Sequence, residues 1–149
     1  MSEEKQFCTF YLDNLFFGVA VETVQEVFRY HEMTHIPLAP PEIRGLINLR
    51  GQVITAIDLR QRLSISKLPE DKLPMNVVVR TGGSVVSLLV DAIGDVLEVS
   101  EENYERPPET IPEEVRKLVR GIYKLEGKLL LILDAEKAVN VSTSFADVS

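Results

Sequence analysis

The chain has 149 residues, of which 45% are hydrophobic and 26% charged. That composition suits one ordinary domain or two small lobes and argues against wholesale disorder. Sixteen basic against 23 acidic residues leave a formal charge of −7 with no cluster of Lys and Arg, which argues against nucleic acid or an anionic bilayer as a direct partner.

The longest aliphatic run, residues 129–133, is far below the roughly 20 residues of a membrane span. No basic-then-apolar leader precedes Gln6, so no membrane insertion and a reducing cytoplasm are expected. Cys8 is the only cysteine, so an internal disulfide and a multi-cysteine metal site are excluded.

In chain order, residues 1–5 are expected as a flexible tail. Runs 7–12 and 16–21 surround Asp13-Asn14 and predict a hairpin, with Cys8 as a strand thiol rather than a nucleophile. Val21 to Val27 reads Val-acid-x-aliphatic-x-acid-Val, and spacing leaves open a short helical turn or a bent strand. In a helical turn Glu22 and Glu26 would share a face.

His31-Glu32-Met33-Thr34-His35 matches the H-E-x-x-H pattern of zinc hydrolases. That chemistry needs a sustained helix and a third ligand. Pro37, Pro40 and Pro41 follow closely and no third His exists, so an exposed connector is expected, with a metal hydrolase as the unfavoured rival.

Runs 45–49 and 52–57 flank Arg50-Gly51 and predict a second hairpin. Asp58 is placed to cap a short helix over 59–63. The stretch 66–74, with two prolines and several charges, marks the join between lobes 6–66 and 75–140. Runs 76–80 and 84–90 around Gly82-Gly83 repeat the first hairpin. Pro112 is expected at the first position of a short helix, with Val115, Leu118 and Val119 facing inward. A hairpin about Glu126-Gly127, a capping Asp134 and a flexible tail over 141–149 complete the chain.

An internal repeat organises these elements. Residues 43–63 align without a gap on 119–139, pairing Arg44/Arg120, Gly45/Gly121, Leu49/Leu125, Gly51/Gly127 and Asp58/Asp134. Residues 21–27 align likewise on 90–96, placing Asp91 and Asp95 opposite Glu22 and Glu26. Two blocks recurring in order imply a duplicated unit of short strands and tight turns, an all-β fold of two small barrels. The repeat leaves open whether strands exchange between lobes.

Gly45, Gly51 and their counterparts read as turn glycines. Arg50 stands opposite Glu126 and Asn48 opposite Lys124, a divergence that shared geometry does not require. At an exposed tip, Arg50 serves either an acidic partner surface or an internal ion pair with Glu26 or Glu42. No Gly-rich phosphate loop with its Lys is present, so no enzyme activity and no cofactor are expected.

The ordered set Val24-Gln25-Glu26-Val27, Ile36-Pro37, Ile43 through Gly51 and Ile57-Asp58-Leu59-Arg60 resembles CheW-type chemotaxis coupling proteins. Residues 90–96 and the stretch from Arg120 to Asp134 continue the pattern. Asn48-Leu49-Arg50-Gly51 is its signature, and the likeness spans about residues 7–139. The resemblance implies two five-stranded barrels of the Src-homology-3 type with a few short helices. It implies a cytoplasmic, non-catalytic adaptor recruited to receptor arrays, which couples the cytoplasmic tips of chemoreceptors to the regulatory domain of a CheA-type histidine kinase. A coupling protein of a related pathway, such as pilus-driven twitching motility, is the alternative. Carried over residue by residue, Glu26, Asn48 and Arg50 fall in the receptor-binding groove, and Val24, Arg44 and Gly45 at positions of kinase binding or coupling.

Overall fold

The structure is a computed structural model that describes residues 4–66, 68–69 and 71–140. The tail 141–149 and residues 1–3 lie outside the described residues. The rest of the expected N-terminal tail is strand, because Glu4 and Lys5 pair with Ser100 and Val99.

The first half forms β1 (Glu4–Leu12), β2 (Leu15–Ala20), β3 (Val24–Phe28), β4 (Ile43–Leu49), β5 (Gln52–Asp58) and helix α1 (Leu59–Arg62). The second forms β6 (Met75–Thr81), β7 (Ser84–Val90), β8 (Ala92–Ser100), β9 (Tyr104–Glu105), α2 (Glu113–Arg116), β10 (Val119–Leu125), β11 (Lys128–Leu133) and α3 (Ala135–Val139). The open choice at 21–27 resolves into both readings in turn: a 3-10 turn, Val21–Thr23, leads into β3. Glu22 and Glu26 therefore share no helical face. Pro112 has φ −52 and ψ 141, so it caps α2 from an extended conformation instead of opening the helix as expected. Val115, Leu118 and Val119 are buried.

The strands make a six-stranded sheet, β8-β1-β2-β11-β10-β9, and a five-stranded sheet, β3-β6-β7-β5-β4. Each draws on both halves of the sequence. Hairpin β1–β2 leaves the first half to join β8–β11, and hairpin β6–β7 joins β3–β5, so segments 6–66 and 75–140 exchange hairpins reciprocally. The exchange is sealed by parallel pairs, β2 with β11 and β7 with β5.

Both sheets close into small barrels. β8 pairs with β1, then passes through the 3-10 turn Glu101–Asn103 into β9, which pairs with β10 at the opposite edge. The two-residue β9 is a sixth strand beyond the five expected. In the other barrel the chain beyond β3 returns to β4. The Thr34 N–H donates to the Leu46 carbonyl and the Leu46 N–H to the Thr34 carbonyl, both at 2.8 Å.

The main core is shared. Phe10, Phe17 and Val19 from the first hairpin pack in one cluster with Ile57 and Leu63, with Val77 and Leu88, and with Leu118 and Leu131. Burial of these side chains, at about 1.5–3 kcal/mol each, is the main stabilising contribution and holds the barrels together. A second cluster, with Phe7, Tyr123 and Leu130, fills the six-stranded barrel, and Ile47, Ala56 and Leu89 fill the other.

The repeated Asp residues do cap their helices. Asp58 accepts from the Arg60 and Gln61 N–H groups, and Asp134 from the Lys137 N–H. Each is held by the repeated arginine, Arg44 to Asp58 at 3.1 Å and Arg120 to Asp134 at 3.4 Å. A β-bulge at each arginine shifts the register between Ile43 and Gly45 and between Val119 and Gly121. Bulges re-aim side chains, which explains how both arginines reach the caps.

Arg62 of α1 links the halves further. Its Nε donates to the Ala138 carbonyl at 3.2 Å and its Nη2 to the Lys137 carbonyl at 2.9 Å, which also accepts the Asn140 N–H, so the guanidinium adds bonds to carbonyls at the end of α3. Arg62→Ala is expected to lower the unfolding free energy by about 1–2 kcal/mol. A urea midpoint unchanged by the substitution would show that water replaces the guanidinium without cost.

Candidate functional site

β3 and β4 are the outer strands of the five-stranded sheet. Closing the barrel brings the middle of β3 to the β4–β5 turn, and there Glu26, Asn48 and Arg50 converge. Arg50 has φ 51 and Gly51 φ 83, positive at both central positions as a type I′ hairpin requires. Of the counterpart pair only Gly127 has a positive φ, so the two tips differ in backbone as well as charge. A non-glycine residue in the left-handed region costs about 1–2 kcal/mol.

This conformation aims the Arg50 side chain across the barrel seam. Its Nη1 donates to Glu26 Oε2 at 3.0 Å and its Nη2 to Oε1 at 2.5 Å, a bidentate pair. The hydrogen bond to Glu26, and then its charge, hold the Arg50 guanidinium pKa above its ordinary value. Arg50 remains 74% exposed, whereas Glu26 is 22% exposed. Asn48 Oδ1 accepts from the Gly51 N–H at 3.1 Å and steadies the turn. Of the two uses left open for Arg50, the internal pair with Glu26 is formed while the guanidinium still faces solvent.

The other three candidates sit differently. Val24 is half-buried and packs against the main core. Arg44 lies at the far end of β4 and is committed to Asp58. Gly45 is not the turn glycine expected from the repeat. It lies inside β4 beneath the closing segment, where a Cβ would stand 2.6 Å from the Thr34 carbonyl oxygen. Gly121 is likewise a close-approach position, under the ring of Tyr104. Gly51 and Gly127, at φ 83 and 81, are turn glycines as expected.

The exposure of Val53 was missed by reading residues alone. Val53 lies directly across the ladder from Asn48 and is 62% exposed. Val27, next to Glu26, is 37% exposed. An apolar side chain level with Asn48, beside a charged tip, suits protein docking. Val53 sits within the apolar stretch Val53-Ile54-Thr55-Ala56-Ile57, where nothing in the local sequence marks one residue as outward.

His31 and His35 lie on an extended connector, with Thr34 of the same motif in the bridge to Leu46. The helical face that a zinc site of this pattern needs is therefore not formed. No group of three His, Cys, Asp or Glu side chains able to hold a metal occurs among the described residues. Cys8 is half-buried on β1, and burial pushes its thiol pKa up, away from the reactive thiolate. No helix among the described residues is long and apolar enough to cross a membrane.

Comparison with known proteins agrees with this geometry. The CheW-like domain matches residues 6–142. The chain is 30% identical over 136 residues to the chemotaxis protein CheW of Klebsiella aerogenes, covering 91% of this chain and 82% of that one. It is 28% identical over 141 residues to CheW of Thermotoga maritima, covering 95% and 91%. The crystal structure of the scaffolding protein TtCheW from Thermoanaerobacter tengcongensis superposes with a TM-score of 0.78 at 34% identity, covering 88% of this chain and 89% of that one. With the hairpin-exchanged double barrel and the Asn48–Arg50 tip in place, this chain belongs to the CheW-like family.

Proposed function

We infer that the protein is a non-catalytic adaptor of bacterial chemotaxis that couples chemoreceptor tips to the regulatory domain of a CheA-type histidine kinase. Membership of the CheW-like family supports the adaptor role. The observation that carries the choice of site is Arg50, held in a strained conformation at an exposed tip and aimed across the seam. Strain of this kind is retained where a side chain must be presented in one orientation.

In this reading Glu26, Asn48 and Arg50 form the polar part of the receptor contact, with Val53 as its apolar border. Val24, Arg44 and Gly45 affect kinase coupling through barrel shape, because each is engaged within the fold. The adaptor works by stoichiometric contact with no turnover, and receptor binding places it in membrane-associated arrays.

Arg50→Asn separates folding from binding. Asn tolerates a positive φ far better than Arg, and that relief offsets the lost ion pair with Glu26, so the melting temperature is expected to change little. Loss of the fixed guanidinium should weaken pull-down of a receptor-tip fragment at least tenfold. Normal binding of both a receptor tip and a CheA regulatory domain by this variant would remove the tip from the interface.

A further inference from the structure

The barrels meet at two joints related by the internal repeat. At the first, Asp13 at the β1–β2 turn, Asp91 at the crossing from β7 to β8 and Arg60 of α1 come together. Arg60 Nε and Nη2 donate to the two oxygens of Asp91 at 2.8 and 2.5 Å, and Nη2 lies 4.0 Å from Asp13 Oδ1. The Arg60 side chain is only 10% exposed there.

The repeat carries Asp13 to Gly82, Asp91 to Glu22 and Arg60 to Glu136. All three counterparts line one cavity of about 900 Å³. Where the first joint has an arginine, the second has a carboxylate, and the counterpart of Asp13 has no side chain at all. The result is room and negative charge at the position that holds a guanidinium one repeat away.

The bases on the cavity wall neutralise it only in part. Lys5 pairs with Glu101 at 2.9 Å and Arg120 with Asp134 at 3.4 Å, while Arg80 donates to the neutral Gln25 at 2.8 Å and keeps its charge, so five glutamates on the wall outnumber three bases. Glu22 and Glu136 make no ion pair or side-chain hydrogen bond among the described residues. Tyr104, 43% exposed and packed edge to face on the buried Tyr123 with centroids 5.2 Å apart, adds an aromatic face. Carboxylates beside aromatic faces complement a planar, weakly hydrated cation.

We propose that this cavity is a docking site for an arginine side chain presented by a partner protein, gripped by Glu22 and Glu136 as Asp91 grips Arg60. Guanidinium is favoured over ammonium because the counterpart site binds Arg60 through two parallel donors, a geometry that lysine lacks.

The test is a nitrogen-15 NMR titration of the full chain with N-acetyl-arginine amide, beside the citrulline and lysine analogues. Saturable shifts are expected at Glu22, Gly82 and Tyr104 with the arginine compound, weaker ones with lysine and none with citrulline. The double variant Glu22→Gln, Glu136→Gln should fold normally and bind the arginine compound at least tenfold more weakly. Glu136→Arg should fill the site from within, raising melting temperature and abolishing the response. Equal shifts with citrulline, no shifts at these residues, or undiminished binding by Glu136→Arg would each overturn the proposal.

Discussion

Gly45→Ala is expected to lower the unfolding free energy by about 3–4 kcal/mol, while Gly121→Ala, at the matching position of the repeat, should cost about 1–2 kcal/mol. The two glycines are aligned, and each follows an arginine at a bulge. What differs is the obstacle. A Cβ at position 45 meets backbone, the Thr34 carbonyl oxygen at 2.6 Å, with the Met33 Cβ at 3.1 Å. Moving that backbone strains or breaks the paired 2.8 Å hydrogen bonds between Thr34 and Leu46 that close the barrel. A Cβ at 121 meets the ring and hydroxyl of Tyr104, a half-exposed side chain that can swing outward for the loss of one hydrogen bond to the Arg120 carbonyl and its edge-to-face contact with Tyr123. Chemical denaturation of both variants decides the matter, and equal losses would show that the backbone clash at Thr34 is relieved cheaply. Hydrogen exchange at the Leu46 amide should accelerate in the Gly45 variant alone. Loss of kinase coupling on substituting Gly45 would then reflect an opened barrel, so binding assays at this position need a folding measurement beside them.

Arg60→Ala is expected to cost about 3–5 kcal/mol, the range for removing one partner of a buried ion pair. It leaves Asp91, 16% exposed, facing Asp13 without a counter-charge. The Arg60 guanidinium also donates to the Ser66 carbonyl, so the variant frees the start of the connector between halves as well. Replacing Arg60 by Met and Asp91 by Leu together should recover most of the loss, since paired apolar groups carry no desolvation cost. A single-variant loss below about 1 kcal/mol would mean that the joint is solvated and contributes as little as surface pairs do.

The same joint sets a pH dependence. Burial pushes the Asp91 carboxyl up, but the Arg60 hydrogen bonds, the Asp13 N–H and nearby positive charge outweigh it and hold its pKa below the ordinary value. A carboxylate whose folded pKa is depressed adds stability above its unfolded pKa of about 3.9 and loses it as pH falls toward the folded value. The wild-type chain should therefore lose stability below about pH 4 more steeply than the Met/Leu double variant. Parallel acid-unfolding curves would show that Asp91 is not a contributor.

Much of the molecule was legible from neighbouring residues alone. The strand pairs about Asp13-Asn14, Arg50-Gly51, Gly82-Gly83 and Glu126-Gly127, the capping roles of Asp58 and Asp134, and the duplication itself follow from periodicity and turn chemistry, which act within a few residues. The contrast between Arg50 and Glu126 likewise pointed to the tip before its geometry was known.

Tertiary structure alone decided which hairpin completes which barrel. The repeats present nearly equivalent partners, so β2 pairing with β11 and β7 with β5 uses the same local contacts as an unexchanged arrangement would. Only global closure of the shared core distinguishes the two. The same holds for Gly45, whose need for a bare backbone comes from Thr34 across the seam, and for Arg60 and Asp91, joined across 31 positions of sequence. At the seam, tertiary structure also settled that Arg50 grips Glu26 while remaining exposed. Sequence proximity specified the elements, and long-range packing specified how the chain joins them.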